Sequence, residues 1–373
     1  MKIISLQKNL KTSLYSVSHV AQKNTNLPIL NNVLISAKDG IIKLIGTNLE
    51  IGITSTLRGK IEAEGSFTVD ARIFSEYVNL LPNEKVEIQL DENDLKVTCG
   101  DSKTKIRGLS AEEFPFIPEV DQNESYHLPI NEFKKAASQV VFAAALDENR
   151  AELSGILCVL EDGKVTLVGT DSYRLAERTI SIKESYGVEK TCIIPTRTIQ
   201  EVLRIMGSEM GENGELEEIT LSVAENQCLF VVGSTEIVSR LISGRYPDYK
   251  QIIPDHFESR ITVNREELNR VVKTATLFSK QGSNDIVFES NSDKKTLTIS
   301  SISGQVGEHK SVLNTNTTGT NVTITLNARY ILDVLTVLGE DEILIDLVNE
   351  TTPCVIRGGE DKGYLYIIMP IKN

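Results

Sequence analysis

The sequence has no tryptophan, only four histidines and only five cysteines in 373 residues. With aromatics at 5 % of the chain, Leu, Ile and Val must fill whatever cores it builds. His19, His127, His256 and His309 never stand at a metal-ligand spacing such as HxxxH, so no metal is expected. Cys99, Cys158, Cys192, Cys228 and Cys354 form no CxxC or CxxH, are odd in number and sit mostly in strand-like runs. They read as reduced core thiols of a cytoplasmic protein. Neither GxxxxGK[ST] nor GxSxG occurs, so no nucleotide or other cofactor is expected. Met1 to Leu10 lacks an apolar signal core and no run approaches transmembrane length, so a soluble, unexported chain with no membrane partner is expected.

What the sequence does contain is a repeat. Phe67 to Pro82, Cys192 to Gly207 and Ile324 to Gly339 each carry an apolar β-type run, a cap-like residue, an Arg, and an acid four positions later. The Arg residues are Arg72, Arg197 and Arg329; the acids are Glu76, Glu201 and Asp333. In the middle copy Ile199, Val202, Leu203 and Met206 take i, i+3, i+4, i+7 spacing, one face of a helix. Each copy then meets Pro or Gly, a helix stop. A second strand–helix unit recurs at Lys2 to Lys23, Tyr126 to Ala145 and Arg260 to Lys280. Each repeat thus holds two half-repeats.

Between these helices run alternating β-type segments punctuated by Asp39-Gly40, Asp162-Gly163 and Asn213-Gly214, which read as hairpins. Helices separated by antiparallel hairpins predict an α+β chain of three tandem similar domains. Their expected extents are 1–121, 126–254 and 259–373, and Asn314 to Asn321 reads as a polar loop.

The formal charge of −13 argues at first against a nucleic-acid partner. Its distribution argues the other way. The six expected helices, ending at Lys23, Leu81, Ala145, Met206, Lys280 and Leu338, sum to +7, which leaves −20 elsewhere. Lys and Arg on a solvated helix face are one reading. The other is a set of helices turned toward a polyanion inside an acidic body, where contact is to phosphate and carries no base readout.

Four motifs, in order and at these separations, resemble the β-subunit family of bacterial DNA polymerase III, the sliding clamps, over the full length. They are Asn26-Leu27-Pro28-Ile29-Leu30, Gly169-Thr170-Asp171-Ser172-Tyr173-Arg174-Leu175-Ala176, Gly244-Arg245-Tyr246-Pro247-Asp248-Tyr249 and Ile367-Ile368-Met369-Pro370-Ile371. The resemblance implies a DNA clamp fold: outer antiparallel sheets, inner helices, and a head-to-tail homodimer closing into a ring around double-stranded DNA. Retention would then be topological and independent of sequence. Residues facing DNA would be Lys8, Lys11, Lys23, Asn24, Arg72, Lys134, Lys135, Arg150, Arg197, Arg204, Arg270 and Lys273.

A second implied site is a pocket for short linear peptides of DNA polymerase III, the clamp loader and repair proteins. Leu153, Thr170, Ser172, Tyr173, Arg174, Leu175, Pro247 and Ile252 would form one side of it. Ile367, Ile368, Met369, Pro370 and Ile371 would form the other. An apolar cleft of aliphatics and Met adapts to several Leu- or Phe-bearing peptides. Tyr173 departs from the family's usual His, and Asn24 stands where a basic residue is usual. Ile106, Leu277 and Phe278 are the implied dimer contact.

Plain readings stand beside these. Leu153, Leu175 and Ile367 fit core packing, Leu277 and Phe278 fit an intradomain core, and Arg174 fits a pair with a nearby acid. An enzyme reading would have to use Asp171, whose place after a strand suits a turn better than catalysis. No catalytic residue is therefore expected, and the chain would act as a processivity factor rather than an enzyme. A repeat protein that binds only other proteins would share the fold and pocket without the basic helices.

Overall fold

Two-residue turns set the strand pattern. Asp39-Gly40 and Asp162-Gly163 have positive φ at both residues (52° and 77°, 46° and 70°). That backbone matches the twist of the strands it joins, and Asp-Gly tolerates it. The computed structural model describes residues 1–21, 26–183, 186, 189–209, 216–280, 282–359 and 361–372. Lys23, Asn24 and the expected Asn213-Gly214 turn lie outside them.

Among the described residues the six α-helices are α1 (Gln7–Ser18), α2 (Ala71–Leu80), α3 (Ile130–Val141), α4 (Thr196–Glu209), α5 (Arg265–Leu277) and α6 (Ala328–Val337). Cap chemistry explains several starts. The Asp70 carboxylate accepts from the Ile73 amide at 2.8 Å, Asn264 from Glu267 at 3.1 Å and Asn327 from Arg329 at 2.9 Å. The middle repeat has Pro195 where the others have Asp70 and Asn327.

Several boundaries differ from the sequence reading. α1 stops at Ser18 rather than Lys23, and α4 runs through Gly207 to Glu209. Asn316–Gly319 is a strand paired to Ser259–Asn264, so the polar Asn314 to Asn321 segment is an edge of a sheet. With the observed bounds, α1 carries +2, α3 and α5 +1 each, and the others zero. The helical total is +4 and the remainder −17, so charge segregates in the expected sense but less steeply.

The chain forms two compact units that do not coincide with the three repeats: residues 1–134, 182–186 and 197–241 in one, and 135–181, 187–196 and 242–373 in the other. In the first unit a 13-stranded sheet continues from the first repeat into the middle one. Thr235–Arg240 pairs antiparallel with Ile51–Leu57, Thr235 opposite Ser55 and Ser239 opposite Ile51. In the second unit a nine-stranded sheet joins middle and last repeats in the same way. There Arg174–Ser181 pairs with Tyr364–Ile368, Arg174 opposite Ile368 and Leu175 opposite Ile367. A four-stranded sheet in the second unit ends at Gly307–Asn314. Pairing across repeat borders satisfies strand edges that would otherwise template aggregation.

Within the first unit α1 packs on α2 and on the sheet, burying Leu10, Leu14, Val17, Phe74 and Val78. Within the second, α5 and α6 do likewise with Leu268, Val272, Ile331 and Val334. All five cysteines are buried thiols outside any disulfide. Among the described residues no helix is long and apolar enough to cross a membrane.

Candidate functional site

The strand junction of the second unit gathers three of the four motifs; Asn26 to Leu30 lies in the first unit. Strand Lys164–Thr170 turns through residues 171–173 into Arg174–Ser181, which lies against the C-terminal strand. Asp171 makes the turn: its Oδ1 accepts from the amides of Tyr173 (2.9 Å) and Arg174 (3.0 Å). Thr170 donates its hydroxyl to the Arg174 carbonyl at 2.6 Å and accepts from the Ser172 amide at 3.1 Å. Ser172 is thereby held at φ 78°, a left-handed conformation uncommon for a residue with a side chain. The Met369 amide then donates to the Tyr173 carbonyl at 2.8 Å, and that of Ile371 to Thr325 at 2.9 Å. Both expected walls are therefore neighbours.

Leu153, Leu175 and Ile367 belong to a buried cluster with Leu157, Val168, Ile193, Tyr246, Tyr249 and Val355. Thr170 and Ile368 are buried as well. These residues make a floor rather than a lining. The accessible rim consists of Ser172, Tyr173 (65 % exposed), Pro247 and Ile252, with Met369, Pro370 and Ile371 half-buried. Tyr246 and Tyr249, missing from the expected set although inside its third motif, fix this floor. Their hydroxyls donate to Val168 O (3.2 Å) and to Glu177 Oε2 (2.5 Å). Burial raises both phenol pKa values above the ordinary range.

Arg174 is committed to the protein. Its Nε donates to Asp171 at 3.0 Å, one terminal nitrogen to the Phe142 carbonyl at 2.8 Å, and the other to Asp333. The guanidinium lies 4.6 Å from the Tyr330 ring centroid. Asp333, the repeated acid of the last copy, so ties α6 to this turn. Asp171 serves the turn and Arg174.

The cations expected on the helices divide into two sets. In the first unit Lys8, Lys11, Arg72 and Lys134 are exposed. Arg197 is half-buried. Arg204 is bound: its Nε donates to Glu201 at 2.9 Å, and its terminal nitrogens donate to the Tyr15 and Ser16 carbonyls, each at 2.8 Å. A guanidinium at the last carbonyls of α1 complements the helix dipole. Glu201 also receives His19 Nδ1 at 2.5 Å, so the repeated acid again makes a cross-link.

In the second unit Arg270 and Lys273 are exposed, whereas Lys135 pairs with Asp361 at 2.9 Å. Arg150 lies in a 3-10 turn and donates to the Ser172 hydroxyl at 2.9 Å, beside the cleft rim. Ile106 is buried, Leu277 is 70 % exposed, and the Phe278 ring stacks on His309 at 5.7 Å. Among the described residues no three His, Cys, Asp or Glu side chains are grouped to hold a metal.

Three family models match in tandem: DNA polymerase III beta subunit N-terminal domain over residues 1–118, central domain over 127–248 and C-terminal domain over 250–372. A beta sliding clamp of Staphylococcus epidermidis is 28 % identical over 359 residues, 94 % of this chain and 93 % of the relative. The DNA polymerase sliding clamp of Bacillus subtilis superposes with a TM-score of 0.93 at 27 % identity, covering 100 % of this chain and 99 % of that one. The DNA polymerase III beta subunit of Thermotoga maritima gives 0.92 at 28 %, with the same coverage.

Proposed function

The chain belongs to the DNA polymerase III β-subunit family and functions as a DNA sliding clamp; on that premise we propose how its own residues carry the function. Two copies associate head to tail into a ring of six domains around duplex DNA, with the domains at 1–121, 126–254 and 259–373 of each copy. Lys8, Lys11, Arg72, Lys134, Arg270 and Lys273 face the phosphates, and the chain carries out no chemistry of its own. The cleft of the second unit receives short linear peptides of the polymerase, the clamp loader and repair proteins. They rest on a floor of Leu153, Leu175 and Ile367, with Tyr173, Pro247, Ile252, Met369, Pro370 and Ile371 at the rim.

One observation carries this reading. The register of Arg174 opposite Ile368 places an ordered turn beside the C-terminal segment, over a buried aliphatic floor. Such a preformed apolar site lowers the ordering cost of binding a flexible peptide. Edge strands support the dimer. Gly307–Asn314 ends its sheet, and Ser102–Leu109 meets its second neighbour only at Gly108 and Leu109. A free edge in one copy can pair with a free edge in the other, and a head-to-tail contact closes when its rotation allows. Leu277 adds exposed apolar surface near the end of α5.

The test combines solution mass with retention on circular and linearised DNA, a clamp loader and ATP being present. A dimer that stays on circles and leaves cut ends is expected. A monomer, or equal retention on both forms, would point instead to a repeat-built protein that binds by ordinary affinity.

A further inference from the structure

The groove beside α1 is not explained by duplex contact alone. Lys8, Lys11, Thr12 and Tyr15 follow i, i+3, i+4, i+7 spacing, and they line a cavity of about 680 Å³ with Asn83 and Arg204. Lys8 and Lys11 are exposed and carry no ion pair among the described residues. Tyr15 is 49 % exposed. Its ring lies against the Arg204 guanidinium, 4.7 Å from the centroid, while Glu201 and the α1 carbonyls hold that guanidinium in place. Arg204, with its donors so engaged, acts here as a support for an aromatic ring rather than as a phosphate ligand.

We propose that this groove is a stacking site for an unpaired nucleobase of single-stranded DNA, with Tyr15 as the platform and Lys8 and Lys11 on the flanking phosphates. The inference extends the duplex-encircling reading and rests on it. A duplex keeps its bases stacked on one another with their π-faces hidden, and contact without base readout is to its backbone, for which lysines suffice. An aromatic ring backed by a fixed guanidinium has nothing to gain from phosphate. It gains from the π-face of a base, and a positively charged groove with an aromatic platform is how single strands are held without sequence preference. Thr12 and Asn83 stand at the same groove to meet base edges. Pre-fixing the ring by Arg204 removes ordering cost at the moment of binding.

The test is fluorescence anisotropy with a labelled oligothymidylate and an abasic oligonucleotide of equal length, using the full-length protein. The wild type should bind the thymidylate about tenfold more tightly than the abasic strand. Tyr15→Ala should bind both equally and weakly, and Tyr15→Phe should keep the preference. Replacing Lys8 and Lys11 with Gln should flatten the salt dependence yet preserve the ratio. Equal wild-type affinity for the two strands, a preference that survives Tyr15→Ala, or no binding of either strand would overturn the site. Wild-type retention on circular duplex reads the premise separately: its loss refutes the ring, whereas loss of the base preference alone refutes only the groove.

Discussion

Asp361 offers the sharpest test of how the cleft is held. It lies in the turn leading into the C-terminal strand Tyr364–Ile368. Its carboxylate takes Lys135 Nζ at 2.9 Å, the Gly363 amide at 3.0 Å, and Arg178, whose side chain is only 9 % exposed. Burial raises its pKa, but Arg178 and Lys135 outweigh that and push it from 3.8 down to about 2. A depressed carboxylate contributes stability that is complete above its ordinary pKa and is lost as pH falls through the folded value. The window is therefore about pH 4 down to about 2, and the contribution is about 2 kcal/mol. Asp361→Asn at neutral pH leaves Arg178 buried without its counter-charge, so a cost of about 2–4 kcal/mol is expected. Amide exchange of residues 364–368, followed from pH 7 to pH 3, reads this locally. The gap between wild type and variant should stay level down to about pH 4.5 and narrow below it. A gap under about 0.5 kcal/mol, or one that does not narrow in acid, would refute the account of the turn.

Three further outcomes follow from the same contacts. Charge reversal of Lys8, Lys11 and Lys273 together should weaken loading or retention on circular DNA while the melting temperature holds; undiminished retention would count against their facing phosphate. Deleting residues 369–373 should abolish binding of partner peptides, as measured by calorimetry, and leave dimer mass intact, since Met369 bonds Tyr173 of the cleft and Ile371 bonds Thr325, both within the same unit; unchanged peptide affinity would remove the site. Asp346, fully buried, takes two bonds from Arg260 (2.6 and 2.9 Å) and one from Arg357 (3.0 Å), so Asp346→Ala should cost about 3–5 kcal/mol in urea unfolding. A variant as stable as wild type would show that solvent already screens those pairs.

Local chemistry was legible in the sequence. Asp-Gly announced the tight turns, the cap-like residue before the repeated Arg announced the starts of α2 and α6, and the apolar period announced the buried Ile199, Val202 and Met206 of α4. Helix ends were less so. Gly207 looked like a stop, yet a glycine inside a helix costs only about 1 kcal/mol, which packing of Ile205 and Met206 offsets. The polar Asn314 to Asn321 stretch gave no apolar alternation because Asn316–Gly319 is an outer strand with little to bury. Least legible were pairings over long separations. Nothing near Arg174 indicates Ile368 as its neighbour, or Asp333 as the acid it binds. The family motifs put both walls in one list, but only register shows that Leu175 and Ile367 face inward as a floor. The fate of Arg204 was hidden for the same reason: its acid, Glu201, is three residues away, while the carbonyls it caps lie nearly two hundred residues earlier.

That last case bears on how a clamp can hold DNA and still move. Counting cations on helices treats Arg and Lys alike, yet their contacts differ: Arg204 is bound and Lys135 is paired, whereas Arg72 and Arg270 are exposed like Lys8 and Lys11. Arg174, Arg178, Arg204, Arg260 and Arg357 are anchored by carboxylates, several with further carbonyl or aromatic partners. The planar fork of guanidinium suits such fixed, directional work. Lys8, Lys11, Lys134 and Lys273 stand exposed, and an ammonium on a flexible stem is a hydrated point charge that follows a phosphate without fixing its geometry. Contacts of that kind are weakened by salt and exchange readily. Substituting Arg for these lysines would preserve net charge while adding bidentate phosphate grip. If mobility depends on loose contact, Lys8→Arg with Lys11→Arg should slow diffusion along DNA in single-molecule tracking, with retention on circles maintained. Faster or unchanged diffusion would show that charge alone, not the chemistry of the head group, sets the friction.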